Sequence, residues 1–159
     1  LTVEYGEGVF VGYRYYDRYD IPVRYPFGFG LSYAEFEYSD LKIEKTGDTD
    51  FTVSYTIKNI SEVDGKEISQ VYVRDVIAMV ARPVKELKGY SKDLIKAGEE
   101  KRVSVKLDYS SLAYYSVATD KWLVENGDFE ISVGSSSRDI KLTGRIKANL
   151  PDNEQPSQI

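Results

Sequence analysis

Carboxylates are the reactive groups this chain holds in number, with 26 Asp and Glu against 21 Lys and Arg and a formal charge of -5. Two carboxyls roughly 5–9 Å apart in a cleft, their pKa values driven apart by their surroundings, would cleave a glycosidic bond. No such pair declares itself. Asp48, Asp64 and Asp128 sit in turn sequences, and Glu130 falls on the polar side of an alternating run. Both are ordinary solvated positions. His and Cys are absent. That removes the commonest general base and metal ligand, the thiolate nucleophile and any disulfide frame. Ser-His-Asp and Cys-His chemistry are excluded within these residues.

The remaining motifs also have plain readings. Asp48 and Asp50, with Thr46 and Thr49, offer oxygens to a hard cation, but the spacing is too short for a calcium loop and suits a hairpin turn. No metal site and no cofactor are expected. Phe27-Gly28-Phe29-Gly30 holds a lone Gly-x-Gly, with Pro26 before it where a phosphate loop needs a strand. The basic residues of 67–107, among them Lys85, Lys88, Lys92 and Lys96, are spread and interrupted by Glu86 and Asp93. They read as a solvated face with edge lysines, and the acidic balance argues against a nucleic-acid partner. Trp122 alternates with Val124, so a core position is its first reading and stacking on a sugar ring its second. Asn59-Ile60-Ser61 fits the glycosylation triplet, which matters only in a eukaryotic secretory setting.

Residues 1–34 and the rest of the chain follow different rules. Eight of the 14 Tyr and four of the 6 Phe lie within residues 1–38, among Gly6, Gly8, Gly12, Gly28 and Gly30. Glycine and proline at these intervals break any long element. Val9, Val11 and Tyr13 alternate with Phe10, Gly12 and Arg14, as in a short strand covered on both faces. So many rings ahead of the first clear strand either fold back over the domain or dock on another one. Docking is the reading we favour, through Phe10, Tyr13, Arg14, Tyr15, Tyr16, Phe27, Phe29 and Tyr33.

From residue 35 the period is two. Phe51, Val53, Tyr55 and Ile57 alternate with polar residues, as do Val103, Val105 and Leu107, and Phe129, Ile131 and Val133. The parity slips near Ser39-Asp40, which predicts a bulge or a bend in the first strand. Strands are expected at 35–44, 51–59, 67–76, 85–91, 100–107, 113–117 with 121–125, 128–135 and 138–144. Asp108 should cap one helical turn. Seven or eight short strands at this spacing predict an all-β sandwich. The domain boundaries read as an arm at 1–34, a sandwich at 35–145 and a flexible tail or linker at 146–159. No apolar run approaches a membrane span, so no membrane partner is expected. No basic-then-apolar leader follows Leu1, which favours a cytoplasmic setting over a secreted one.

Several long motifs resemble one family. They are Glu7-Gly8-Val9-Phe10-Val11-Gly12-Tyr13-Arg14-Tyr15-Tyr16-Asp17, Pro26-Phe27-Gly28-Phe29-Gly30-Leu31-Ser32-Tyr33 with Phe36, and Val71-Tyr72-Val73-Arg74-Asp75. Arg82-Pro83-Val84-Lys85-Glu86-Leu87-Lys88-Gly89-Tyr90 and Val133-Gly134-Ser135-Ser136-Ser137-Arg138-Asp139-Ile140, with Trp122, Val124-Glu125, Gly127 and Phe129 before the last, complete the set. Over residues 4–144 the chain resembles the fibronectin type III-like domain of glycoside hydrolase family 3, with the junction leading into it. The resemblance implies a fibronectin type III or immunoglobulin-like sandwich of about seven strands, joined to a catalytic barrel and an α/β domain. It implies a parent that is a retaining β-glucosidase or β-xylosidase, acting on terminal glycosyl residues without metal or organic cofactor. The parent's nucleophile and acid/base motifs do not occur here, so no catalytic residue is assigned. The implied role is a non-catalytic brace for the catalytic domains, which would meet the glycoside substrate. The alternative is a stand-alone carbohydrate- or protein-binding sandwich.

Overall fold

The computed structural model describes residues 2–150. In chain order it contains α1 (Tyr13–Arg18), β1 (Phe36–Lys45), β2 (Phe51–Asn59), β3 (Gly65–Asp75), β4 (Glu86–Ile95), β5 (Glu100–Leu107), α2 (Tyr109–Leu112), β6 (Tyr114–Ser116), β7 (Lys121–Leu123), β8 (Gly127–Ser136) and β9 (Asp139–Ala148). Two antiparallel sheets, β1-β2-β5 and β4-β3-β8-β9, face each other, and β6-β7 form a separate hairpin. This is the expected β-sandwich.

Period two decides which side chains meet between the sheets. On β2, Phe51, Val53, Tyr55 and Ile57 are buried in register with Val103, Val105 and Leu107 of β5. Val71 and Val73 of β3, with Phe129, Ile131 and Val133 of β8, close the core from the other sheet. Each such side chain contributes about 1.5–3 kcal/mol by leaving water. Polar groups that enter this core are paired: the Tyr55 and Ser69 hydroxyls lie 2.7 Å apart, and the Tyr38 hydroxyl donates to Glu67 at 2.7 Å.

The local signals behave as physics requires. The β1–β2 register shifts between Ser39 and Lys42, with Asp40 at φ 53. The Thr46–Asp50 turn is a hairpin, Thr46 and Gly47 donating to the Asp50 carbonyl at 2.8 and 3.1 Å. Asp108 caps α2, accepting from the Ser111 N–H at 3.1 Å. Asn59 is buried, and its amide donates to the Val63 and Ile95 carbonyls at 2.8 and 3.0 Å, so the triplet it opens is a structural turn.

Three expectations need correction. Residues 9–13 are not a strand. Gly8 and Gly12 lie at φ 58 and 60, and these left-handed positions turn the chain into α1. β9 runs through Ala148, past the expected start of the tail, because Ile146 and Ala148 face the core and Leu150 is buried beyond them. Asn126 holds that end, accepting from the Leu150 N–H and donating to its carbonyl at 3.0 Å. The remaining tail, residues 151–159, lies outside the described residues. Trp122 is not core: it is 60% exposed on β7. Val124 is buried, but it follows the end of a three-residue strand outside both sheets, so the alternation carries no meaning there.

Candidate docking interface

The core accounts for one face of the four-stranded sheet, yet β3 is buried on both. Gln70 and Tyr72, on the opposite face, are as inaccessible as Val71 and Val73. The cover is the aromatic arm, which folds back over the sheet. Tyr13 stacks on Phe27 at 4.5 Å between centroids and meets the Tyr72 ring edge-on at 6.3 Å. Its hydroxyl accepts from the Leu87 N–H at 2.9 Å. Burial raises the Tyr72 phenol far above its usual range, so that group stays neutral.

Polar clamps fix the arm in place. The Gln70 amide donates to the Gly28 carbonyl at 3.1 Å and to the Ser135 carbonyl at 2.7 Å, and accepts from the Tyr72 hydroxyl at 2.5 Å. Ser137 N–H donates to the Phe27 carbonyl at 2.8 Å. Asp17, its side chain 6% exposed, sits between Lys85 and Arg138, each at 3.0 Å. Arg138 also donates to the carbonyls of Tyr16 and Ile21 at 3.1 and 2.9 Å, so one guanidinium closes the end of α1.

The sequence-predicted docking residues therefore divide. Tyr13 and Arg14 turn toward the chain's own sandwich. Phe10 is half-buried beneath the Arg18 guanidinium at 4.2 Å. Tyr15 and Tyr16 meet edge to face and are partly exposed, beside Tyr19. Phe27 and Phe29 are half-exposed, Phe29 tilted over Tyr25 at 5.3 Å, and Tyr33 is 99% exposed. Leu31 is almost as open. The arm thus has one face built into the sandwich and an aromatic face turned outward.

At the end of the sheet a charge cluster appears that the sequence did not reveal. Arg82, 7% exposed, meets Asp75 and Glu86 at 3.3 Å each and donates to the Leu112 carbonyl at 3.0 Å. Arg14 of the arm reaches Glu86 at 3.0 Å, and Lys88 lies 3.8 Å from the same carboxylate. Glu125 is buried nearby, accepts from the Met79 N–H at 2.9 Å and faces the Tyr114 phenol. Burial raises the Glu125 and Asp75 carboxyls, against the opposing pull of Arg82. Burial likewise lowers the Lys88 ammonium, although Glu86 favours its charge. The Arg82–Glu86 spacing of i,i+4 was the available signal, but Asp75 comes from the end of β3 and Glu125 from the loop between β7 and β8.

These carboxylates are neutralised by arginines and backbone donors, not poised across a cleft, so they do not form an acid/base pair. Among the described residues no group of acidic side chains could hold a metal ion. No helix among them is long and apolar enough to cross a membrane. Trp122 projects beside the cluster, edge-on to Tyr115 at 5.6 Å and 69°.

The geometry has known counterparts. A fibronectin type III-like domain profile matches residues 67–137. A thermostable beta-glucosidase B from Acetivibrio thermocellus is 49% identical over 150 residues, which are 92% of this chain and 20% of that protein. An exo-alpha-(1->6)-L-arabinopyranosidase from Bifidobacterium longum is 50% identical over 97% of this chain and 20% of its own length. The GH3 beta-glucosidase of Bifidobacterium adolescentis superposes with TM-score 0.88 at 46% identity, over 96% of this chain and 23% of that one. Beta-glucosidase 3B of Thermotoga neapolitana, solved with alpha-D-glucose, gives 0.86 at 40% identity over 92% and 20%. The chain spans about a fifth of the length of the relatives it matches.

Proposed function

We propose, from the premise that this chain matches the fibronectin type III-like segment of GH3 β-glucosidases, a non-catalytic module, that it braces the catalytic domains of a retaining β-glucosidase. The parent would hydrolyse terminal β-D-glucosyl residues at a site outside these 159 residues. Residues 1–34 would be the junction, residues 35–145 the sandwich, and the outward rings Tyr15, Tyr16, Phe27, Phe29 and Tyr33 the surface that meets the parent's barrel and α/β domains. The observation that carries this reading is the two-faced arm. An arm clamped by Gln70, Ser137 and Arg138 on one side has no need of Leu31 and Tyr33 open to water on the other. So many exposed apolar side chains on one short segment mark an interaction site.

The test compares one substitution in two settings. Phe29→Ala should cost little in the isolated chain, where the ring is half-exposed. In the longer protein, where it would be fully covered, the same change should cost roughly 3–5 kcal/mol and lower the melting temperature before it alters turnover of an aryl β-glucoside. An equal small cost in both settings refutes the brace. Turnover by the pure 159-residue chain refutes its non-catalytic role.

The exposed Trp122 favours a second reading, a sugar-binding module. Its geometry weakens that reading: a ring at 69° to Tyr115 makes no shared plane for a pyranose to lie on. Saccharide binding by the chain, abolished by Trp122→Ala, would reinstate it.

A further inference from the structure

The arm surface leaves one apolar region unexplained. At the end of the four-stranded sheet a groove of about 250 Å³ opens between the arm, the 76–84 loop and the β6–β7 hairpin. Its apolar wall is Val9, Val80, Pro83, Tyr115 and Trp122, and its floor carries Arg14, Arg82, Glu86 and Lys88. Arg82 is divided between Glu86 and Asp75, which lies behind the groove, so the cation with the weakest partner is Lys88. Glu86 is already engaged by Arg14 at 3.0 Å and Arg82 at 3.3 Å, which leaves Lys88 a long contact of 3.8 Å. The Lys88 side chain is 17% exposed, so its ammonium has lost most of its water without gaining a close anion. A buried charge in that position favours a carboxylate arriving from outside.

We propose that this groove receives an acidic segment of the same polypeptide from outside these 159 residues, its carboxylate on Lys88 and an apolar neighbour against Trp122. The proposal rests on the brace reading and extends it to a second contact. Charge complementarity chooses the occupant, and the chain supplies about a fifth of its relatives' length, so most of the polypeptide is available to provide it. Val9 and Arg14 belong to the arm, so the groove and the docking surface proposed above share that segment. A bare aromatic wall would suit a sugar, but the loosely paired Lys88 ammonium beneath it favours an anion over a neutral ring. The arrangement has the anatomy of an interface core, an aromatic anchor beside a desolvated charge pair.

The experiment uses the whole parent protein. Zero-length carbodiimide coupling followed by peptide mapping should join Lys88 to an Asp or Glu outside this segment. Hydroxyl-radical footprinting should show Trp122 protected to the level of buried Phe129. Lys88→Met should abolish most of that protection of Trp122 and leave Tyr33 protected. Coupling of Lys88 to Glu86 alone, or free oxidation of Trp122, overturns the proposal. Protection of Trp122 that appears only on adding a gluco-oligosaccharide also overturns it and points to a sugar site. Tyr33 separates the two claims: Tyr33 protected with Trp122 open leaves the brace intact and removes only the groove, whereas both open removes both.

Discussion

The contact between Gly28 and Gln70 can be tested as a coupling energy. Gly28 lies at φ 80, and a Cβ built there would fall 2.1 Å from Gln70 Oε1. Gly28→Ala therefore has two costs. The left-handed backbone disfavours an L side chain by about 1–2 kcal/mol. The methyl also displaces the Gln70 amide, which holds the Gly28 and Ser135 carbonyls and the Tyr72 hydroxyl. At about 1 kcal/mol for each buried bond lost, that displacement adds about 3 kcal/mol. The sum is about 4–5 kcal/mol, or a fall in melting temperature of about 8–20 °C for a domain of this size.

A double-mutant cycle separates the two terms. In a Gln70→Ala background no amide remains to be displaced, so Gly28→Ala should cost only the backbone term of about 1–2 kcal/mol. The expected coupling is about 3 kcal/mol, read from urea midpoints of the four proteins at constant slope. Additivity within about 0.5 kcal/mol would refute the argument, because it would mean the arm does not rest on Gln70.

Other outcomes follow from the same geometry. Burial raises the folded-state carboxyl of Glu125, so its contribution to stability is fully present below the unfolded value of about 4.3 and is lost as pH rises through the folded value. Glu125→Gln should therefore gain stability relative to the parent chain between pH 4 and pH 7, read from urea midpoints across roughly that range. An unchanged difference across the range would contradict it. Asn59, buried and donating to two carbonyls, should remain unmodified in a glycosylating host, and intact-mass measurement would detect any glycan. Arg138→Met should release α1 and raise amide exchange in residues 13–21 while leaving β2 protected, because Arg138 touches the arm and not the core.

What the sequence disclosed was whatever period and turn chemistry determine. Phe51 to Ile57 alternate because one face of β2 meets the core, and the Ser39–Asp40 slip marks the bulge for the same reason. The arm was harder. Its glycines break periodicity, and nothing local says that Tyr13 will turn inward while Tyr33 stays out. That division depends on Tyr72 and Gln70, some forty residues or more away in sequence. Tyr72 was itself deceptive, since a strand covered on both faces reads as an apolar run whatever covers it. The charge cluster was invisible for a related reason. Asp75, Arg82, Glu86 and Glu125 look like scattered surface charges until β3, β4 and the approach to β8 bring them together. Trp122 shows the opposite error, an alternation that a three-residue strand is too short to enforce.

The arm and the sandwich must act as one body if the outward rings are to transmit force. A segment held only by its apolar inner face could slide, since apolar contact has no preferred register. Directional groups remove that freedom. Arg138 binds the end of α1, Gln70 grips Gly28, and Arg14 ties the start of α1 to Glu86. These anchors lie in the β8–β9 turn, on β3 and on β4, so they hold the arm at separate points of the sheet. Loosening any one leaves the others to define a pivot, so a single substitution should tilt the arm before it detaches it. A rigid platform of this kind converts the stability of the core into a fixed position for Phe29 and Tyr33. That is a structural task, and Arg14, Asp17, Lys85, Glu86 and Arg138 serve it by pairing across the arm and the sheet.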